Sequence, residues 1–118
     1  MFIAAFGLVT AASRMSLGEV LGDERLLADV RGIMNEVVVL AEREGVALDP
    51  QAISNAMVRA TGFPFETRTS FQRDIEGGGP NEGDLFGGTI LRLGKQVGVA
   101  TPTTHRVYAR VLHLSGDA

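Results

Sequence analysis

Residues 23–45 read DERLLADVRGIMNEVVVLAEREG, and this stretch decides the fold class. Its apolar side chains recur at steps of three and four, which is the spacing of one face of an α-helix. Asp23 is suited to cap the first turn, and Gly45 is suited to end the helix. The stretch therefore predicts one long helix with an apolar face wide enough for several neighbours. The apolar residues are Leu26, Leu27, Val30, Ile33, Met34, Val37, Val38 and Ala41. The charged residues lie mostly off this face and are expected to meet solvent: Arg25, Asp29, Arg31, Glu36, Glu42 and Arg43.

The residues before this stretch predict a buried helix and a short capped turn. Residues 1–12 are apolar, but Arg14 interrupts them well before the roughly 20 residues that a bilayer span requires. They also lack the positively charged start of a signal peptide, so we expect a core helix in a cytoplasmic protein. Ser16-Leu17-Gly18-Glu19 fits a capping box, in which the serine and glutamate side chains each bond the other residue's amide. It predicts a short helical turn that ends near Gly22.

Proline and glycine divide the rest of the chain into further predicted helices. An Asp or Thr followed by Pro is typical of an N-cap and first helical residue, and this pair occurs at Asp49-Pro50 and Thr101-Pro102. The predicted helices are residues 50–61 before Gly62, a short one at 69–74, one at 81–98 after the Gly77–Pro80 break, and a last one from Pro102. Their inward residues are Leu85, Phe86, Ile90, Leu93, Val97, Val107, Tyr108, Val111 and Leu112. No convincing strand pattern appears, so we predict an all-α fold of about six helices.

Composition limits the classes of function. At 118 residues, the chain is expected to form a single compact domain over residues 1–118. It has no Cys, which excludes disulfides, thiolate zinc sites and cysteine nucleophiles. The net charge is −3 and no basic block stands out, so nucleic acid is not an expected partner. His105 and His113 are the only histidines and have no ligand partners at metal-binding spacing, so no metal is expected.

A string of motifs occupies residues 70–102. It contains Ser70-Phe71-Gln72-Arg73-Asp74, Gly77 to Pro80, Glu82-Gly83-Asp84 and Gly98-Val99-Ala100-Thr101-Pro102. This string resembles the C-terminal domain of the 2-dehydropantoate 2-reductases, or ketopantoate reductases. The pattern of that family reads Ser-Met-x-x-Asp, a glycine-containing turn, Glu-x-Asp, an Asn-Gly pair, whose glycine matches Gly88, and Gly-Val-x-Thr-Pro. Residues 17–20 and 36–45 also match the style of the family, so the resemblance covers nearly the whole chain.

The resemblance implies a fold and an activity. The C-terminal domain of the family is helical, like that of 6-phosphogluconate dehydrogenase, and it closes over the substrate. The family uses a nicotinamide cofactor, usually NADPH, to reduce ketopantoate to pantoate on the route to pantothenate. We therefore expect a small 2-oxo acid as the substrate, a homodimer, and no nucleic acid or membrane partner. No Gly-x-Gly-x-x-Gly follows a strand here, so NADPH is expected to bind mainly to a dinucleotide-binding domain that is missing or separately encoded.

The resemblance also assigns site roles to two residues. Glu82 falls at the family's glutamate, which supports the catalytic site, and Ser70 falls at the serine that helps to hold the substrate carboxylate. The catalytic lysine of the family would lie just before Met1, so we expect no turnover by this chain alone. Asparagines of the family are replaced at Ile3, Gly7 and Thr67, which leaves a related 2-oxo acid open as the substrate. The asparagine of the family's Asn-Gly pair is Gly87 here.

Each assignment has a structural alternative. Glu82 follows a Gly/Pro break, where a carboxylate stabilises the start of a helix through its dipole. Ser70 or Thr69 can instead cap the short predicted helix. Gly83 and Gly87 stand one helical turn apart, which indicates either the close approach of another helix or room for a bound substrate.

A second class of function stays open, namely a non-catalytic helical module that dimerises or docks onto another protein. Without a preceding domain, part of the first helix would be uncovered, and an exposed apolar patch is typical of an interface. The residues concerned are Phe2, Ile3, Phe6, Leu8 and Val9. Binding of a 2-oxo acid that is lost in Glu82→Gln or Ser70→Ala variants would favour the enzyme domain instead.

Overall fold

Six helices make up the part of the chain that the structure describes, which is residues 2–69 and 87–115 of a computed structural model. They are α1 (Phe2–Ser13), α2 (Leu17–Leu21), α3 (Glu24–Arg43), α4 (Ala52–Thr61), α5 (Thr89–Val97) and α6 (Pro102–Ser115). These ranges contain no strand, and the predicted all-α class is confirmed. No helix within them is long and apolar enough to cross a membrane.

Helix α3 is the centre of the fold, because each of the other five helices packs against it. It begins as predicted, since Oδ1 of Asp23 accepts hydrogen bonds from the amides of Arg25 at 2.9 Å and Leu26 at 3.1 Å. It ends as predicted at Gly45, whose φ of +78° is the left-handed conformation that glycine adopts without strain. Its buried apolar residues are Val30, Ile33, Met34 and Leu40.

Helix α1 is enclosed by protein, as its all-round apolar sequence predicts. The side chains of Phe6, Leu8 and Val9 are fully buried, since α3 and α6 both pack along α1. The expectation that these three residues are partly uncovered is therefore wrong, because this chain covers them with its own helices. The side chains of Phe2 and Ile3 lie outside the described part of the chain.

Glu36 corrects the expectation that the charged residues of α3 meet solvent. It is buried, and its carboxylate accepts hydrogen bonds from the amides of Thr103 at 2.8 Å and Thr104 at 2.9 Å and from the Thr104 hydroxyl at 2.6 Å. These are first-turn amides of α6, which have no partner inside their own helix. A carboxylate there is stabilised by the helix dipole and by charge-assisted hydrogen bonds, which offset the cost of its burial.

The start of α6 combines a predicted and an unpredicted feature. Pro102 is its first residue and the carbonyl of Thr101 accepts from the amide of His105 at 3.0 Å, as the Thr-Pro pair predicts. Glu36 can approach because Gly32, one turn earlier on α3, has no side chain. A Cβ atom on Gly32 would lie 2.8 Å from Oγ1 of Thr103.

Helix α4 begins later than predicted. Its first residue is Ala52, because Oδ1 of Asp49 accepts from the amide of Gln51 at 2.7 Å and closes a local turn over Pro50. The helix ends at Thr61, directly before Gly62, as predicted.

The segment from residue 70 to residue 86 lies outside the described residues, and with it the predicted short helix, the Gly77–Pro80 break, Leu85 and Phe86. The described part of the predicted 81–98 helix is α5, which ends at Gly98 with φ +72°. Ile90 is buried, and Leu93 and Val97 pack against the core. At Gly87 a Cβ atom would lie 2.5 Å from the ring of Tyr108, so this glycine serves the close approach of α6.

Candidate functional site

Ser70 and Glu82, the two residues assigned to the site from the sequence, lie outside the described residues. The structure does describe the segment that leads directly to Ser70. We call residues 63–69 the connector, because they follow α4 and Gly62 and run alongside α2 and α1. The connector includes Thr67, one of the positions where the family pattern has an asparagine that this chain lacks.

The capping box of α2 is confirmed. The Ser16 hydroxyl accepts from the amide of Glu19 at 3.3 Å, and the Glu19 carboxylate accepts from the amide of Ser16 at 3.0 Å. This exchange leaves the two intervening amides, those of Leu17 and Gly18, without a partner in their own helix. The connector therefore meets two fixed donors at the start of α2.

These two amides hold the connector by its backbone. The amide of Leu17 donates to the carbonyl of Thr67 at 2.8 Å, and the amide of Gly18 donates to the carbonyl of Phe65 at 2.9 Å. The connector is also closed on itself, because the amide of Thr67 donates to the carbonyl of Pro64 at 3.1 Å in a four-residue turn. The backbone of residues 64–67 is thus fixed by three hydrogen bonds.

Gly18 permits this contact because it has no side chain. A Cβ atom at this position would lie 2.7 Å from the carbonyl oxygen of Phe65 and 2.5 Å from Cγ of its ring. The ring of Phe65 lies against Gly18 on one side, yet 60% of the residue is exposed. The connector therefore presents an aromatic ring to solvent from a fixed backbone.

The end of the connector is held by α1. Thr10 is fully buried, and its hydroxyl donates to the carbonyl of Phe6 at 2.7 Å. Oγ1 of Thr69 lies 3.4 Å from Oγ1 of Thr10. Because the single hydroxyl proton of Thr10 is used by Phe6, we assign Thr69 as the donor in this contact. Ser70 follows Thr69 directly in the chain, so α1 holds the residue immediately before it.

The face of α1 that meets the connector includes a second position of interest. Gly7 lies one turn before Thr10 and therefore on the same face of the helix. Gly7 and Thr67 are two of the positions where asparagines of the family pattern are replaced, and they belong to the two segments, α1 and the connector, that meet at Thr10 and Thr69. The sequence could not show that these segments meet, because they are distant in the chain.

The described residues hold no group of three or more His, Asp or Glu side chains that could bind a metal ion. His105 and His113 are both exposed on α6. Among the charged residues of the connector, Glu66 and Arg68 are exposed as well.

A separate cleft lies between α1, α3 and α6, and no sequence motif indicated it. Its volume is about 260 Å³. Arg106 of α6 donates two hydrogen bonds to the carboxylate of Asp29 of α3, at 3.2 Å and 2.5 Å. The hydrogen bond to Asp29 is the main cause that raises the pKa of Arg106 above its usual value. The lining residues are Val9, Ala12, Ser13, Leu26, Asp29, Arg106, Val107 and Arg110.

Comparison with known proteins connects this fold to one family. Residues 1–115 match the family model described as ketopantoate reductase PanE/ApbA C terminal. The oxidoreductase YkpB of Bacillus subtilis is 28% identical over 111 residues, which are 94% of this chain and 37% of that protein. A 2-dehydropantoate 2-reductase of Mesorhizobium japonicum is 30% identical over 111 residues, which are 94% of this chain and 33% of that protein.

The fold is also that of a solved structure. The dimeric ketopantoate reductase of Staphylococcus aureus superposes with a TM-score of 0.89 at 21% identity, over 98% of this chain and 40% of that one. The chain thus spans between 33% and 40% of the length of these three proteins.

Proposed function

Because this chain belongs to the family of ketopantoate reductase C-terminal domains, we propose that it is the substrate-binding helical domain of an oxidoreductase that reduces a small 2-oxo acid. The observation that carries this proposal is the family match along residues 1–115. Ketopantoate is the first substrate to test, and a related 2-oxo acid is the alternative, since Gly7 and Thr67 replace asparagines of the family pattern. The domain is proposed to extend over residues 1–118 and to act in the cytoplasm as part of a homodimer, as the Staphylococcus aureus relative is a dimer.

We propose that Ser70 binds the substrate carboxylate and that Glu82 is the catalytic carboxylate. Hydroxyl and backbone amide groups are suitable donors to a carboxylate. A carboxylate such as that of Glu82 orients an ammonium group or a substrate hydroxyl by a charge-assisted hydrogen bond. The connector supports the first role, because its hydrogen bonds to α1 and α2 fix the backbone that leads to Ser70.

The described residues do not fit a dinucleotide. They include no strand, and hence no glycine-rich turn from a strand into a helix, which is the usual cradle for a pyrophosphate. We therefore propose that NADPH binds to a separate dinucleotide-binding domain, and that this chain contributes the site for the acid. The chain on its own is expected to bind the acid without reducing it.

Calorimetric titration of the complete protein that carries this domain tests the proposal. We expect it to bind ketopantoate or 3-methyl-2-oxobutanoate. Ser70→Ala should lose at least tenfold in affinity for either acid, and Glu82→Gln should lose at least tenfold for ketopantoate, whose hydroxyl group can donate to the Glu82 carboxylate. Matched controls are Ser54→Ala on α4 and Glu42→Gln on α3, both at exposed positions. Failure to bind any 2-oxo acid would contradict the substrate class, whereas equal binding by all the variants would contradict the two residue roles.

The alternative function, a non-catalytic module, was expected to use an uncovered apolar patch on α1. Phe6, Leu8 and Val9 of that patch are buried within this chain. Among the described side chains, the exposed aromatic residues are Phe63 and Phe65 of the connector. A protein that dimerises but binds no 2-oxo acid would still favour the module.

A further inference from the structure

We propose that the cleft between α1, α3 and α6 is a binding site for a small organic anion, namely a monocarboxylate with an apolar chain. The inference goes beyond the proposed function and does not depend on it. Three observations lead to it: an apolar cavity of limited size, arginines that have no partner, and the charge balance of the lining residues.

The cleft has an apolar floor that belongs to the core of the domain. Val9 and Val107 both line it and are only 1% and 4% exposed, so the surrounding packing fixes their positions. Ala12 and Leu26 complete the apolar lining. A cavity of about 150 Å³ holds benzene, so the 260 Å³ of this cleft suits a ligand of roughly ten non-hydrogen atoms.

A second depression, about 320 Å³ in volume, continues the cleft towards the end of α1 and the start of α3. Ala12, Leu26 and Arg110 line both, so the two form one continuous space, which we call the groove. The second depression is the more polar part, because it adds Asp23 and Arg25 to the lining. The groove thus offers an apolar surface at one end and charged side chains at the other, as a ligand with one charged and one apolar end requires.

Two arginines of the groove are available to a ligand. Arg25 of α3 and Arg110 of α6 are exposed and line the same depression. Within the described part of the chain, neither guanidinium group has an ion-pair or hydrogen-bond partner. Arg106, one helical turn before Arg110, is instead held by Asp29. A free guanidinium group presents parallel N–H donors that match the two oxygens of a carboxylate.

The charge of the lining favours a single negative charge on the ligand. The described lining residues include three arginines and two aspartates, which leaves one positive charge: Arg25, Arg106, Arg110, Asp23 and Asp29. Both carboxylates are already bonded, since Asp29 accepts from Arg106 and Asp23 accepts from the first amides of α3. A monocarboxylate therefore neutralises the groove, whereas a cation would meet an excess of positive charge.

The two ends of such a ligand contribute in different ways. The carboxylate gains hydrogen bonds from Arg110, and the chain gains contact with the floor of the cleft. Each methylene group that leaves water for an apolar surface raises affinity by about fourfold. Affinity should therefore rise with chain length until the cleft is full, which octanoate, with ten non-hydrogen atoms, is expected to achieve.

Calorimetric titration with octanoate, on the complete protein that carries this domain, tests the inference. We expect wild type to bind octanoate more tightly than butanoate by about tenfold or more, because four further methylene groups leave water. Ala12→Leu should lower octanoate affinity by about fivefold or more, because the larger side chain occupies the cleft.

The charged contact is tested with a matched pair of variants. Arg110→Gln should lower octanoate affinity by about fivefold and leave the affinity for octan-1-ol, which has the same chain without the charge, unchanged. Arg92→Gln is the control, because Arg92 is exposed on α5 and does not line the groove.

Three results would overturn the inference. The first is absence of octanoate binding to wild type, as expected if another domain or a second copy of the chain covers the groove. The second is octanoate affinity that is the same in Arg110→Gln as in wild type, or that falls as much in Arg92→Gln. The third is loss of octanoate binding in saturating ketopantoate, which would place octanoate in the 2-oxo acid site.

The same titrations keep this inference apart from the proposed function. A protein that binds octanoate through Arg110 but binds no 2-oxo acid would support the groove and contradict the proposed function. A protein that binds ketopantoate but not octanoate would do the reverse.

Discussion

Helices α2 and α6 both begin against a partner from another part of the chain, and the two partners differ in kind. The first amides of α6 meet the buried carboxylate of Glu36, whereas those of α2 meet the backbone carbonyls of the connector. The first junction lies in the core, and the second carries the exposed ring of Phe65.

The two junctions show that the unpaired amides at the start of a helix can either join two helices or hold a segment of irregular chain. Every helix leaves its first amides without an internal partner, and a buried helix start requires that they be bonded. At α6 the bonds come from a single charged group, which joins two helices firmly. At α2 they come from a segment of irregular chain, which is thereby held beside α1 and α2.

The largest expected effect comes from removal of the charged partner. Glu36→Ala should lower the free energy of unfolding by about 3 kcal/mol, because it leaves two amides and a buried hydroxyl without an acceptor. Glu36→Gln should cost about half as much, since it keeps one acceptor oxygen. Urea unfolding measures both, with the exposed Glu42→Gln as the control. If Glu36→Ala changes stability no more than the control does, the carboxylate does not hold α6.

The second prediction concerns a substitution at the junction between α2 and the connector. Gly18→Ala should lower the free energy of unfolding by about 1–3 kcal/mol, because its Cβ atom would overlap the carbonyl and ring of Phe65. Unlike Glu36→Ala, it should also lower affinity for 2-oxo acids at temperatures where the protein is fully folded. Gly22→Ala is the control, because the nearest atom to its Cβ would be 3.6 Å away. Equal affinities in the two glycine variants would show that the connector does not shape the site.

The third prediction concerns the hydroxyl pair at the end of the connector. Thr10→Val keeps the shape of the side chain but removes the contact with Thr69, and should cost about 1 kcal/mol of stability. Hydrogen exchange at residues 67–69 should become faster while exchange within α3 is unaffected. Thr10→Ser restores the hydroxyl and should restore slow exchange at the connector. Uniform acceleration along the whole chain would indicate a general loss of stability and contradict a local role.

The helix boundaries that could be predicted are those with local causes. The capping box at Ser16, the cap at Asp23 and the ends at Gly45 and Gly98 all depend on atoms a few residues apart, and the structure has each of them. Asp49 shows the limit of this reasoning. Its side chain bonds the amide two residues ahead and makes a turn, so that α4 begins later than the Asp-Pro pair predicts.

The junctions between helices could not be predicted, because their partners are distant in the chain. The spacing of apolar residues in α3 predicts that Glu36 meets solvent, because spacing within one helix cannot show that the start of α6 packs against Glu36. In the same way, nothing in the sequence joins the amide of Gly18 to the carbonyl of Phe65. The roles of Ser70 and Glu82 came from the family resemblance alone, and they stay predictions.

The smallest expected effect concerns a third contact between helices, the ion pair of Asp29 and Arg106. It joins α3 to α6, as Glu36 does, but the Arg106 side chain is 63% exposed and that of Asp29 is 20% exposed. Water and salt screen such a pair, so Asp29→Asn should lower the free energy of unfolding by less than about 1 kcal/mol. In 1 M salt, where the screening length is only about 3 Å, the difference should largely vanish.

The pH dependence of this pair follows from the direction of the Arg106 shift. The hydrogen bond to Asp29 raises the pKa of Arg106 above its usual range, so the stabilisation from the guanidinium is complete below the usual pKa of an arginine and is lost only as pH rises through the raised pKa. Between pH 6 and pH 9 the effect of Asp29→Asn should therefore stay constant. If Asp29→Asn lowers the free energy of unfolding as much as Glu36→Ala does, or if its effect persists in 1 M salt, burial is not what distinguishes the two contacts between α3 and α6. The stability that a carboxylate contributes between α3 and α6 would then depend on its hydrogen-bond geometry and not on its burial.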